Sequence, residues 1–107
     1  MSDEIVTRIK KEIESNPIVL FTKGTQEMPM CGFSARAIAI FQDIGRPFKT
    51  VDILLDPRMR QALSGLSNWP TIPQVFVAGK FIGGCDIVTE MHQKGELKPL
   101  VEKAFAK

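Results

Sequence analysis

Residues 18–44 read IVLFTKGTQEMPMCGFSARAIAIFQDI. Residues 18–22 form a short apolar run that predicts a buried strand, β1. The stretch 23–30 carries Gly, Pro and polar residues and predicts a loop, and a helix is expected from about residue 32 to residue 44. Cys31 therefore stands after a strand and a loop, at the N-terminus of a helix, and the rest of the chain extends this strand-helix alternation.

Upstream of β1, residues 3–15 predict an amphipathic helix that Asn16-Pro17 ends. Its apolar residues recur every four positions and are Ile5, Ile9 and Ile13. Downstream, Gly45 is placed as the C-terminal stop of the helix that follows Cys31. Residues 48–53 then predict a second strand, β2. The two strands need a helical crossover, so we expect them to be parallel.

A third helix is expected from Asp56-Pro57, which pair a capping carboxylate with a proline in the first turn. Its predicted apolar face comprises Met59, Ala62, Leu63 and Leu66. Residues 74–78 and 80–82 predict strands β3 and β4, joined tightly at Gly79.

Asp86 is the expected cap of a fourth helix that ends near Gly95. The last helix is amphipathic through Leu97, Leu100, Val101, Ala104 and Phe105. The order α-β-α-β-α-β-β-α-α predicts an α/β fold in which a mixed sheet lies between helices.

Length, charge and hydropathy limit the classes of function that this chain can have. The 107 residues, 44% of them hydrophobic, are enough for one domain over residues 1–107. The net charge of +2 is spread along the chain, so neither nucleic acid nor a membrane surface is an expected partner. No apolar run approaches the ~18 residues of a membrane-spanning helix. No targeting segment is visible, so we expect a cytoplasmic protein, or an organellar one if a presequence is removed.

Two cysteines and one histidine are too few for a secreted disulfide scaffold or for a four-ligand zinc site. Cys31 is the candidate reactive residue, because a helix N-terminus favours a thiolate and Lys23 can add a positive charge. The alternative is a buried structural cysteine, but Gly32 and Ser34 do not have the character of core residues. The motif is C-x-x-S, so Ser34 cannot resolve a mixed disulfide and the site needs an external thiol or Cys85.

Four segments resemble those of monothiol glutaredoxins. In chain order they are Phe21-Thr22-Lys23-Gly24, Cys31-Gly32-Phe33-Ser34, Trp69-Pro70-Thr71-Ile72-Pro73-Gln74 and Gly83-Gly84-Cys85-Asp86. The resemblance covers essentially the whole chain and is to the short, single-domain type. It implies a thioredoxin fold with sheet order β2-β1-β3-β4 and a cis peptide bond before Pro73.

The resemblance also implies that glutathione is a ligand. In that role the backbone of Ile72 pairs with the tripeptide, and Lys23 is a candidate for its glycine carboxylate. Arg60 matches a family position with a similar role, although its spacing alone favours a solvated charge on the helix surface. The helix N-terminus at Cys85 and Asp86 can receive the γ-glutamyl carboxylate, and the Asp86 side chain can pair with the amino group. A plain helix cap is the alternative for Asp86.

Four further side chains are less decisive. Cys85 is either a small, partly buried residue near the ligand or a disulfide partner of Cys31. His92 is expected at the surface and not as a ligand. Trp69 is expected to pack under the loop that contains Pro73, and Phe33 to help cover the site.

The resemblance finally implies a [2Fe-2S] cluster, shared by Cys31 of two copies and by two glutathione thiols, which together supply four thiolates. The apo chain would be a monomer and the loaded chain a homodimer. Partners would be BolA-like proteins and apo iron-sulfur acceptors. The alternative is a weak glutathione-dependent oxidoreductase that removes glutathione from proteins. A third possibility, a thiol-independent binding module, leaves the intact Cys31 motif unexplained.

Overall fold

The structure is a computed structural model that describes residues 3–106. One sheet forms its centre. The strands are β1 (Ile18–Thr22), β2 (Lys49–Asp52), β3 (Gln74–Val77) and β4 (Lys80–Gly83). Their order is β2-β1-β3-β4, with β1 parallel to β2 and antiparallel to β3, and β3 antiparallel to β4. The expected order and the parallel first pair are therefore confirmed.

Five helices cover the two faces of this sheet. They are α1 (Asp3–Ser15), α2 (Gly32–Ile44), α3 (Pro57–Ser67), α4 (Cys85–Gln93) and α5 (Leu97–Phe105). Alternate strand residues enter two separate cores. Leu20 and Val75 pack with α2, α4 and α5, whereas Phe21 and Phe76 pack with α1 and α3. This arrangement confirms the predicted α/β thioredoxin fold.

Several predicted element ends are confirmed by their capping contacts. Gly45 ends α2 in the left-handed conformation (φ 89°), and its N–H donates to the Phe41 carbonyl. Asp56 accepts from the Arg58 N–H at 3.0 Å and caps α3. Between β3 and β4, Ala78 and Gly79 both have positive φ, as a tight two-residue hairpin requires.

Three expectations are wrong in detail. The second strand ends at Asp52, because the Asp52 carboxylate accepts from the Leu54 N–H and starts a 3-10 turn over Ile53–Leu55. Asp86 does not cap α4. The helix begins one residue earlier, with Gly84 as its cap, and Asp86 lies in the first turn. Leu66 is 39% exposed, so the apolar face of α3 is narrower than its spacing suggests.

Two polar contacts tie the C-terminal helices to α2 and to the residues that directly follow it. His92 Nε2 on α4 lies 3.1 Å from Asp43 Oδ2, and Arg46 donates to Glu102 of α5. His92 is thus a partly exposed side chain with a partner on α2. Over residues 3–106, the helices are all too short or too polar to cross a membrane.

Candidate functional site

Cys31 is the residue that caps the N-terminus of α2. Its extended backbone (φ −153°, ψ 138°) turns the chain from the loop into the helix, and its carbonyl accepts the first helical hydrogen bond, from the Ala35 N–H at 2.9 Å. The Ser34 backbone N–H lowers the pKa of the Cys31 thiol most, with smaller contributions from the Phe33 N–H, the Lys23 charge and the Ser34 hydroxyl. Partial burial opposes them, but the net effect lowers the pKa. Cys31 is therefore a half-exposed, activated thiol.

Ser34 is completely buried, so the expectation that it lies outside the core is wrong. Its hydroxyl oxygen accepts from the Lys23 backbone N–H at 3.0 Å. A small polar side chain can be buried when a backbone group satisfies it in this way. Ser34 thus fastens the start of α2 to the end of β1, and it places Lys23 beside the thiol.

The loop between β1 and Cys31 is held by hydrogen bonds that its backbone groups make. Within it, the Met30 N–H donates to the Lys23 carbonyl at 2.8 Å. Across it, the Gly24 N–H donates to Asp52 Oδ1 at 3.0 Å. Gly24 has φ +92°, and a Cβ there would lie 2.6 Å from the Met30 nitrogen, so only glycine fits this close approach. The loop leaves the side chains of Met28 and Met30 mostly exposed.

A cavity of about 280 Å³ lies next to these elements. It is lined by Lys23, Phe33, Arg60, Thr71, Ile72 and Asp86. Its ionisable side chains are two cations and one carboxylate, which suits a ligand that carries more than one carboxylate and an amino group. Four of the predicted site residues, Lys23, Arg60, Ile72 and Asp86, thus come together from separate elements.

The two cysteines are placed differently. Neither Cys31 nor Cys85 lines the cavity itself. Cys31 begins the helix whose second residue, Phe33, forms part of the wall. Cys85 is the first residue of α4 and is 6% exposed, with its Sγ 3.9 Å from Thr89 Oγ1. Both thiols are free.

One wall of the cavity belongs to the segment before β3, which contains a cis peptide bond between Ile72 and Pro73, as expected. Trp69 opens this segment and packs against Phe81, with ring centroids 5.6 Å apart. A Cβ on Gly84 would lie 3.1 Å from Trp69 Nε1, so the indole also packs closely against Gly84, the residue that caps α4.

Sequence reasoning missed three residues that shape the site. Thr71 lines the cavity, and only its position next to Ile72 in the quoted motif signals this. Asp52 and Gln74 lie outside the cavity. Asp52 accepts a hydrogen bond from the loop before Cys31, and Gln74 donates to the segment before β3. A larger depression of about 700 Å³, between the end of α1 and the β3–β4 turn, has Glu14 as its one ionisable side chain and offers no comparable chemistry.

The described residues also limit what this chain can bind alone. Within residues 3–106, His, Cys, Asp and Glu nowhere gather in a group of three or more that could hold a metal ion. A metal at Cys31 would therefore need ligands from other molecules.

Comparisons with known proteins agree with the fold and the motif. A family model described as Glutaredoxin matches residues 18–82. A protein named monothiol glutaredoxin ycf64-like, from Synechocystis sp., is 46% identical over 106 residues and 99% of each chain. Glutaredoxin 4 of Haemophilus ducreyi is 48% identical over 104 residues, 97% of each chain. A crystal structure of a buckwheat glutaredoxin-glutathione complex has a TM-score of 0.87 at 29% identity, over 99% of this chain and 98% of that one.

The chain therefore belongs to the glutaredoxin family. Within that family it is of the monothiol type, since Ser34 stands where a second cysteine would complete a C-x-x-C motif.

Proposed function

We propose that this chain binds glutathione in the cavity beside Cys31 and, with a second copy, carries a [2Fe-2S] cluster for delivery to acceptor proteins. The observation that supports this most is the activated Cys31 thiol next to a cavity with two cations and one carboxylate. The solved buckwheat relative, described as a glutaredoxin-glutathione complex, supports the choice of ligand.

Glutathione has two carboxylates, one amino group and one thiol, and the charges of the cavity are complementary to the first three. In this proposal Lys23 and Arg60 pair with the glycine carboxylate. The unpaired backbone N–H groups at the start of α4, including those of Cys85 and Asp86, receive the γ-glutamyl carboxylate. The Asp86 carboxylate pairs with the amino group.

The middle of the tripeptide would lie along the segment before β3. Ile72 precedes the first residue of β3, so its backbone is outside the ladder between β3 and β1. An extended peptide can add hydrogen bonds to such a free backbone edge. This placement directs the glutathione thiol toward Cys31.

The cluster is cargo in this proposal, and its ligand count requires two chains. A [2Fe-2S] cluster usually binds four thiolates, and each chain offers one activated, accessible thiol, Cys31. Cys85 is nearly buried and is a poor candidate for a further ligand. Two copies and two bound glutathiones supply the four thiolates, and half of them belong to a dissociable small molecule, which suits release. BolA-like proteins and apo iron-sulfur proteins are the partners that this carrier role entails.

Anaerobic reconstitution with iron, sulfide and glutathione tests the proposal, read by visible absorption and size-exclusion chromatography. We expect a coloured dimer that requires both glutathione and Cys31. Omission of glutathione and the Cys31→Ser variant should each leave a colourless monomer. A colourless monomer under all conditions, or a coloured species without glutathione, would contradict the proposal.

A second candidate function is the removal of glutathione from protein mixed disulfides, and the lowered pKa of Cys31 favours it. The Cys31 thiolate would attack the glutathione sulfur, release the protein thiolate and form a disulfide with glutathione. A second glutathione thiolate would attack the glutathione sulfur of that disulfide, which yields oxidised glutathione and returns the Cys31 thiolate. Turnover of a glutathionylated peptide by the apo chain, absent in Cys31→Ser, would establish this activity, and equal rates would exclude it.

A further inference from the structure

Gln74, the first residue of β3, is a buried polar side chain that the proposed chemistry does not use. It is 0% exposed and lies on the same side of the strand as Phe76, in the apolar layer between the sheet and helices α1 and α3. Burial of a primary amide among apolar side chains is unfavourable unless its polar atoms are paired.

Only one half of this amide is paired. Nε2 donates to the carbonyl oxygens of Trp69 at 3.0 Å and Thr71 at 3.2 Å, so both of its hydrogens are used. Oε1 is buried and has no hydrogen-bond partner among the residues that the structure describes. The opposite rotamer would set Oε1 against two carbonyl oxygens, so the two carbonyls dictate the orientation of the amide.

An unpaired buried acceptor lowers stability, and an apolar side chain of similar length would avoid that cost. We therefore attribute the presence of glutamine at this position to its two N–H donors, which fix the backbone of the segment that they contact. Residues 69–73 connect α3 to β3, and Gln74 restrains their carbonyl groups from the interior of the protein.

The held segment is a wall of the site. Thr71 and Ile72 line the cavity together with the cations Lys23 and Arg60. At its start, Trp69 packs against Phe81 and the cap of α4. Without the two hydrogen bonds, the carbonyls of Trp69 and Thr71 could turn toward water, and the backbone of Ile72 would lose its fixed position.

We propose that Gln74 is a positioning residue for the thiol ligand: its amide holds residues 69–73 so that the Ile72 backbone is preorganised to pair with an extended cysteine-containing peptide, glutathione in particular. This inference rests on the proposed glutathione-binding function. It assigns Gln74 no contact with the ligand and no effect on Cys31, which belongs to a different element.

The test compares the wild-type chain of 107 residues with Gln74→Met and Gln74→Asn. Methionine keeps the length and removes both donors, whereas asparagine keeps the amide but is one methylene too short to reach both carbonyls. Affinity for reduced glutathione is measured from backbone amide shifts by NMR. Trp69 is the only tryptophan in the chain, so its fluorescence reports on the segment without any ligand. The thiolate absorbance of Cys31 is titrated in parallel.

We expect both variants to bind glutathione about tenfold more weakly, the scale of one or two lost hydrogen bonds that organise a site. Trp69 emission should change, and the titration of Cys31 should stay as in the wild type. Wild-type affinity in either folded variant overturns the inference, as does a Cys31 titration that moves together with the affinity. If the wild type itself does not bind glutathione, the proposed function fails. In that case unchanged Trp69 emission in the variants also overturns the positioning role.

Discussion

At the scale of single residues, the reactivity of Cys31 depends on backbone geometry more than on charge. The largest effect on the pKa of its thiol comes from the Ser34 backbone N–H, and the Lys23 charge contributes less. The N–H groups are available because the first turn of a helix leaves them unpaired. The position of Cys31 at the start of α2 should therefore account for most of the activation, and the Ser34 hydroxyl for a smaller part.

The lowered pKa of Cys31 predicts how stability depends on pH. Between the folded and the ordinary pKa, the unfolded chain binds the thiol proton and the folded chain does not, so the free energy of unfolding rises with pH. This contribution is lost as pH falls through the folded pKa. Urea denaturation of reduced protein at several pH values should show the rise in the wild type and not in Cys31→Ser. An identical pH dependence of the free energy of unfolding in both proteins would contradict a lowered pKa of the Cys31 thiol.

Arg60 and Arg58 lie on the same helix, so substitutions of the two can be compared as a test and its control. Arg60 lines the cavity, whereas Arg58 is paired with Asp56 at 2.7 Å. Arg60→Gln should weaken glutathione binding about fivefold, as expected for an exposed ion pair worth about 1 kcal/mol. Arg58→Gln should leave the affinity unchanged. Calorimetric or NMR titrations at low and high salt check this, and equal effects of the two substitutions would assign Arg60 to the solvated helix face.

Some residues of the site can be recognised from their type in the sequence, and others cannot. Cys31, Lys23 and Asp86 are recognisable because their charges or nucleophilicity suit a thiol-tripeptide ligand. Ser34 and Gln74 are not recognisable, because their roles depend on which backbone groups surround them after folding. A polar residue in a sequence reads as exposed until the structure shows the donor or acceptor that satisfies it.

At the scale of elements, the end of α2 and the start of α3 were predictable from their capping residues. Gly45 and Asp56 act through the chain immediately next to them, so a local pattern is sufficient. The end of β2 was not predictable. The apolar run continues through Ile53, and it is the Asp52 side chain that ends the strand by capping the 3-10 turn.

Asp52 also joins β2 to the loop that precedes Cys31, since the same oxygen accepts from the Gly24 and Leu54 N–H groups at 3.0 and 2.9 Å. Asp52→Ala should lower the free energy of unfolding by about 1–3 kcal/mol, because the buried Gly24 N–H loses its acceptor. Asp52→Asn keeps an acceptor oxygen and should cost less than half as much. Urea denaturation measures both, and amide hydrogen exchange at Gly24 should quicken in the alanine variant. Equal stability of the alanine variant and the wild type would remove Asp52 from this role.

At the scale of the whole molecule, the activated thiol lies at the surface, and the side chains around it leave it open to other molecules. Cys31 is bordered by exposed apolar side chains, Met30 and Phe33, each more than 60% exposed. No metal-binding group forms within the described part of the chain. In the proposed function, a bound tripeptide, a second copy and then an acceptor each contact this exposed thiol.

The sheet order was predictable only through the family resemblance. The alternation of elements predicted the parallel first pair and the antiparallel hairpin, because parallel strands need a crossover and hairpin strands do not. The cavity was predictable only as a set of residues. Its volume and the arrangement of its charges depend on the packing of five separate segments, which no local pattern describes.

The most direct test of the central proposal is the composition of the reconstituted species. Protein, iron, sulfide and glutathione are quantified in the anaerobically isolated dimer, with acid-released glutathione determined by mass spectrometry. The proposal predicts one iron, one sulfide and one glutathione per chain, all lost in Cys31→Ser and retained in Cys85→Ser. A coloured dimer without stoichiometric glutathione, or one that Cys85→Ser abolishes, would show that other thiolates hold the cluster and would contradict the proposed carrier site.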